Sequence, residues 1–373
     1  GPLHVQIVPD QNPLYDALFK SAEQAGYRIN PDYNSEDQEG IAKTQASIRQ
    51  GRRMSVARCY LEPAMKRRNL TVVTQAMTKR LILEGKRCVG VVYEHEGRDV
   101  EARAGREVIL SAGAVASPQI LELSGIGDPD ILKQHGIAVK HALPAVGENF
   151  RDHINARIIW RVKDPKTSYN SRVKGLAVVG EAWKYMARRG GFFSLPSAPL
   201  VAFLKTRPEL ATPDIQLHLL PIAVKSLKNR QLYDFPAMTV TCYQLRPESL
   251  GSIHIRSANP NVQPAIRFNF LGDTIDQRCM ADGFRIIRKI GEQPALDALR
   301  GDEFSPGKEI QTDDQILTWI RNNSQTAYHP IGTCRMGPAG PTTVVDERLR
   351  VHGIEGLRVA DASIFPTMPS GNT

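Results

Sequence analysis

Apolar and polar residues alternate along this chain in two periods. Between Asn12 and Gly26, Leu14, Ala17, Leu18 and Ala22 repeat on one helical face. Asn12 and Pro13 form an N-cap and first-turn pair, with Gly26 as the stop, so a helix of about three turns is predicted. Met280, Phe284 and Ile287 fall at i, i+4 and i+7, and Cys279 and Ile290 widen that stripe into the buried face of a second helix. The strand-type pattern begins with Leu70-Thr71-Val72-Val73. Residues 80–83 and 88–93 around Glu84-Gly85-Lys86 then read as a hairpin. Residues 107–110 form a short buried-type strand that enters the small-residue turn Ser111-Ala112-Gly113-Ala114. Ser117 as N-cap and Pro118 at the first helical position open a helix that ends near Ser124-Gly125. From about 151 to 322 the pattern changes to strands at 154–162, 215–220, 238–245 and 252–256, separated by Pro and Gly, as in a mainly antiparallel sheet.

Composition narrows the class. With 373 residues, 41% hydrophobic and 23% charged, the chain is globular, which excludes disorder, collagen and coiled coil. About two domains are expected at this length. No apolar run approaches about 18 residues, which argues against a membrane span and against membrane association through this chain. The net charge is +9, and residues 43–108 hold 15 basic and 7 acidic side chains. Those charges are interleaved with strand-like apolar residues and no nucleic-acid module accompanies them, so they read as a solvated face rather than a nucleic-acid site. Cys59, Cys88, Cys242, Cys279 and Cys334 are scattered, odd in number and without a CxxC, so neither a disulfide framework nor a metal site is indicated. A cytoplasmic location is expected from this cysteine usage and from the absence of a leader. The chain starts at Gly1 and stops in Pro369-Ser370-Gly371-Asn372-Thr373, without a closing helix, so truncation is expected at both ends.

Two loops carry candidate chemistry. His329 lies in Tyr328-His329-Pro330-Ile331-Gly332-Thr333-Cys334-Arg335-Met336-Gly337, where Pro330 biases His329 toward extended geometry and forbids a regular helix. A neutral imidazole held on such a loop suits proton abstraction from a hydroxyl, although on this segment alone a histidine merely packed in a turn is the favoured reading. In Leu357-Arg358-Val359-Ala360-Asp361-Ala362-Ser363, an apolar strand runs into small residues, which allows a backbone to approach a cofactor closely. No GxSxG is present, which disfavours an α/β hydrolase.

These two runs occur in one order with Gly113-Ala114-Val115-Ala116-Ser117-Pro118 through Ser124-Gly125-Ile126-Gly127 and with Val146-Gly147-Glu148-Asn149-Phe150-Arg151-Asp152-His153. That order resembles the glucose-methanol-choline (GMC) oxidoreductases, flavin-dependent alcohol oxidases and dehydrogenases, in their choline-dehydrogenase-like branch. Gly51-Arg52-Arg53-Met54-Ser55 and Asn69-Leu70-Thr71-Val72-Val73 extend the resemblance over nearly the whole chain.

The resemblance implies FAD as cofactor and oxidation of a small-molecule alcohol, a primary alcohol to its aldehyde, with oxygen or a quinone-like carrier as electron acceptor. It makes His329 the base and Asn372 the second active-site residue. Thr78, Ser111, Ala112, Gly113, Asp361, Ala362, Asn372 and Thr373 become cofactor contacts. The implied fold is α/β plus α+β, an incomplete Rossmann-like FAD-binding domain beside a substrate domain built on a mainly antiparallel sheet and helices. Residues 1–54 and 151–322 are expected in the substrate domain, and 55–150 and 323–373 in the FAD-binding domain. One departure stands out: no GxGxxG is present, although that turn places the FAD pyrophosphate at a helix N-terminus. A catalytically inactive truncated chain, or a binding module without the pyrophosphate site, is the alternative reading.

Overall fold

The structure, a computed structural model, describes residues 1–196, 198–226, 229 and 231–371. The chain divides into two compact units. The first is Gly1–Val72, Asn155–Gln244 and Gln277–Gln325; the second is Val73–Ile154, Leu245–Asp276 and Thr326–Thr373.

The first unit is built on an antiparallel sheet in the order Gly40–Lys43, Leu200–Leu204, Ile215–Leu220, Ala237–Gln244, Ile154–Val162, Arg300–Ser305. Every residue of Ala237–Gln244 is buried, as a central strand covered on both faces requires. The helix Thr274–Gly291 packs on this sheet with Met280, Phe284 and Ile287 fully buried, as their spacing predicts. Its approach is close, since a Cβ added at Gly291 would lie 2.6 Å from the Trp160 ring. The predicted N-terminal helix is Pro13–Gln24, and the Asn12 side chain caps it by accepting from the Leu14 N–H at 3.0 Å.

The second unit holds a three-stranded antiparallel meander, Met77–Glu84, Arg87–His95 and Arg98–Arg103. It also holds a parallel pair in which Val108–Leu110 aligns with Leu357–Val359. The helix Gly113–Leu123 follows the first of these strands. Leu81, Leu110, Leu121, Ile126, Val345 and Val359 form its core.

Two expectations require correction. Residues 70–73 form no strand, and Leu70, Val72 and Val73 are exposed. β-branched residues favour a strand only where a neighbouring ladder accepts their backbone groups, and among the described residues this segment has none. The helix after Ser111 starts at Gly113, so Pro118 lies inside it and not at its first position. Pro118 has no N–H to give the Ala114 carbonyl, and the Thr333 hydroxyl donates to that carbonyl instead, at 2.6 Å. The proline is thus tolerated because a loop distant in sequence satisfies the orphaned acceptor. The compact units place 55–72 with the sheet and 245–276 with the parallel pair. The second of these is held by Glu122. Its buried carboxylate meets His254 Nδ1 at 2.7 Å and accepts from the Ile255 N–H at 2.8 Å, while His254 Nε2 lies 3.0 Å from Glu148.

Candidate active site

Two constellations lie in the second unit, and backbone hydrogen bonds join them. The first surrounds His329. Residues 151–153 run beside 327–331: Arg151 and Ile331 exchange N–H···O bonds at 3.2 and 3.0 Å, and the Ala327 N–H donates to the His153 carbonyl at 2.8 Å. One oxygen of Asp152 accepts both the His153 N–H at 2.7 Å and the His329 N–H at 2.9 Å. The other oxygen accepts from the Thr326 hydroxyl, which itself accepts from the Tyr328 N–H at 2.8 Å. Tyr328 has φ +63°, a left-handed kink just before the histidine. The His329 ring faces His153 edge-on, with 3.0 Å between the two Nδ1 atoms and 88° between ring planes.

Burial dominates the electrostatics here. It pushes the His329 pKa below its ordinary value against the opposing pull of Asp152. His153 is held at about 4, chiefly by burial, with the Leu245 carbonyl opposing and His329 reinforcing. The Asp152 carboxyl is raised by burial, against the three donors that favour its ionised form. Both imidazoles are therefore neutral at physiological pH.

The second constellation surrounds Asp361. One of its oxygens accepts the Gly113 N–H at 2.9 Å and the Ser117 hydroxyl at 2.6 Å, and the other accepts the Ser363 N–H at 2.8 Å. The Ser111 hydroxyl donates to the Ala360 carbonyl at 2.9 Å. Thr78, Ser111 and Ala112 line one cavity of about 450 Å³ with Val91, Leu110 and Ile120. A Cβ added at Gly113 would meet no atom within 4 Å, so the turn opens onto unfilled space.

The link between them is the run after His329. The N–H groups of Gly332, Cys334 and Met336 donate to the carbonyls of Ala362, Ser363 and Ile364 at 3.2, 2.8 and 2.8 Å. The structure thus brings Ser111, Ala112, Gly113, Asp361 and Ala362 together, puts Thr78 on the same cavity, and ties His329 to them through backbone. Asn372 and Thr373 lie outside the described residues. A roomier cleft of about 940 Å³, lined by Lys86, Arg106, Arg350 and Arg358 among others, holds none of these residues. Asp152 and His153 belong to a run that carried the resemblance, yet their spacing gave neither a role. Their part depends on a pairing across more than 170 residues.

A parallel strand pair running into a small-residue turn that opens a helix, beside an imidazole loop, is an arrangement in which backbone can approach a dinucleotide closely. Models described as GMC oxidoreductase match residues 1–155 and 247–373, and the chain belongs to that family. It is 40% identical over 363 residues to the oxygen-dependent choline dehydrogenase of Chromohalobacter salexigens, covering 97% of this chain and 64% of that protein. It is 41% identical over 379 residues to the enzyme of the same name from Cronobacter sakazakii, covering 100% and 67%. Among solved structures, a formate oxidase superposes with TM-score 0.90 at 26% identity over 99% of this chain and 69% of that one. Pyridoxine 4-oxidase from Mesorbium loti gives 0.86 at 26% identity over 100% and 69%. The chain therefore spans about two thirds of the length of these curated relatives.

Among the described residues, no helix is long and apolar enough to cross a membrane, and no cluster of three or more metal-ligating side chains occurs.

Proposed function

We propose that the protein to which this chain belongs is an FAD-dependent oxidoreductase that converts a small primary alcohol, choline-like or aliphatic, to its aldehyde. The observation that carries this reading is the continuous backbone connection from His329 to the Asp361 turn, whose neighbours Ser111 and Ala112 line a cavity of about 450 Å³. The residues fit the cofactor. Ser111, Ala112 and Gly113 allow close backbone approach, Thr78 borders the same cavity, and Asp361 with Ala362 holds the turn in shape. FAD, when bound, supplies the acceptor for the hydride that leaves the carbinol carbon.

His329 takes the hydroxyl proton. Its imidazole stays neutral because it is half-buried, and Asp152 fixes it through its backbone N–H. Asn372 is assigned as the second group at the substrate oxygen, and Thr373 as a cofactor contact, on the resemblance alone. The second compact unit is assigned to FAD and the first to substrate. The electron acceptor is oxygen or a quinone-like carrier. All five cysteines are buried free thiols, which fits the reducing cytoplasm.

The test is to purify the full-length protein and follow its visible flavin spectrum and aldehyde formation from choline and short primary alcohols. Bound flavin with aldehyde product is the expected result. A flavin-free protein, or one that leaves every such alcohol unoxidised, overturns the reading.

A further inference from the structure

The His329 assignment leaves open which ring nitrogen carries the proton, and the geometry answers this from the far end of a chain of hydrogen bonds. His153 Nε2 lies 3.1 Å from the Leu245 carbonyl oxygen. A carbonyl only accepts, so that nitrogen carries a proton. His153 is 1% exposed, in surroundings that disfavour a charged ring, so it carries no second proton and its Nδ1 presents a lone pair. The atom facing that lone pair at 3.0 Å is His329 Nδ1, which must then be the donor. In a neutral His329 the lone pair consequently resides on Nε2.

We propose that His153 is a positioning residue that fixes the tautomer of His329, with the Leu245 carbonyl as the fixed end of the relay, so that His329 meets the substrate hydroxyl with a basic Nε2. This rests on His329 being the base. Nothing in the relay needs a net charge: His329 Nδ1–H donates to His153 Nδ1, His153 Nε2–H donates to the Leu245 carbonyl, and that carbonyl terminates the sequence. Asp152 contributes by clamping the two backbones on one carboxylate oxygen, which holds the rings at bonding distance. The reverse tautomer would set two lone pairs against each other at 3.0 Å. That loses a hydrogen bond and leaves a buried acceptor unsatisfied.

The test uses long-range ¹H–¹⁵N spectra of the histidine-labelled full-length protein, together with kcat and KM. Wild type is expected to show a pyrrole-like Nδ1 and a pyridine-like Nε2 for His329. His153→Phe removes the acceptor, so the His329 signals should move toward mixed tautomers and kcat should fall by about tenfold to a hundredfold with KM little changed. His153→Asn places an amide oxygen near the Nδ1 position and should restore the His329 Nδ1–H signal with most of the lost kcat. A pyridine-like His329 Nδ1 in wild type, or an unchanged tautomer and kcat in His153→Phe, overturns the proposal. The wild-type spectrum decides it even if His153→Phe does not fold. Failure of the base assignment is distinguishable, because His329→Ala would then retain turnover while the wild-type tautomer stays as described.

Discussion

Asp361 is the side chain on which the proposed cofactor turn depends most directly, and replacing it has a calculable cost. Its carboxylate satisfies three donors: the Gly113 N–H, the Ser117 hydroxyl and the Ser363 N–H. Each hydrogen bond to a charged group is worth about 1.5 to 3 kcal/mol. The Ser117 hydroxyl can rotate to another acceptor and Gly113 is only part-buried, so the net loss for Asp361→Ala is about 4 kcal/mol rather than the full sum. Asp361→Asn keeps one oxygen for Ser363 but sets an amide N–H₂ against the Gly113 N–H, which brings its loss to about 2 kcal/mol. The turn should open in the same order, so flavin affinity should fall more in Asp361→Ala than in Asp361→Asn. Urea unfolding of the flavin-free full-length protein gives the stability term, and flavin titration gives the binding term. A loss below about 1 kcal/mol in Asp361→Ala, or equal effects of the two variants, would mean that this carboxylate does not hold the turn.

Two further predictions concern the His329 loop and pH. Gly332 has φ +90°, and an added Cβ would lie 2.4 Å from the Asn149 carbonyl oxygen, so Gly332→Ala should cost about 2 to 4 kcal/mol and lower kcat through displacement of His329, measured by urea midpoint and turnover. His153 and His254 bracket a pH optimum of stability. The folded pKa of His153 is about 4, below the ordinary 6.5, so its contribution of roughly 3 kcal/mol is complete above 6.5 and lost as pH falls toward 4. Burial alone would lower the pKa of His254, but Glu122 and Glu148 outweigh it and raise it. Its contribution is therefore complete below 6.5 and lost as pH rises through the folded value. Urea midpoints across pH 4 to 9 should fall on both sides of about 6.5, and His153→Asn should flatten the acid limb; an acid limb unchanged in that variant would contradict the assignment.

Local pattern made parts of this molecule readable and hid others. The stripe Met280, Phe284 and Ile287 and the strands at 154–162 and 215–220 were legible because burial on one face or both imposes a period that needs no partner to be recognised. Arg300–Ser305 was not, since its polar sequence joins the sheet only through the neighbour it pairs with. Leu70-Thr71-Val72-Val73 failed in the opposite sense, with strand residues but no ladder. Pro118 signalled a helix start because the compensating hydroxyl, Thr333, is more than 200 residues away. His329 and Asp361 were singled out through motif order. Asp152 and His153 acquire their parts only when 151–153 is laid against 327–331, a pairing that no local period encodes.

The proposed function rests on His329 removing the substrate proton at a flavin held by this chain's turn. The most direct measurement is the rate at which bound flavin loses its visible absorbance when the full-length protein is mixed with choline without oxygen, in wild type and in His329→Ala at equal flavin content. Rapid bleaching is expected in wild type, and a rate lower by about 100-fold or more in the variant. Bleaching of the variant within a few-fold of wild type would contradict that role of His329.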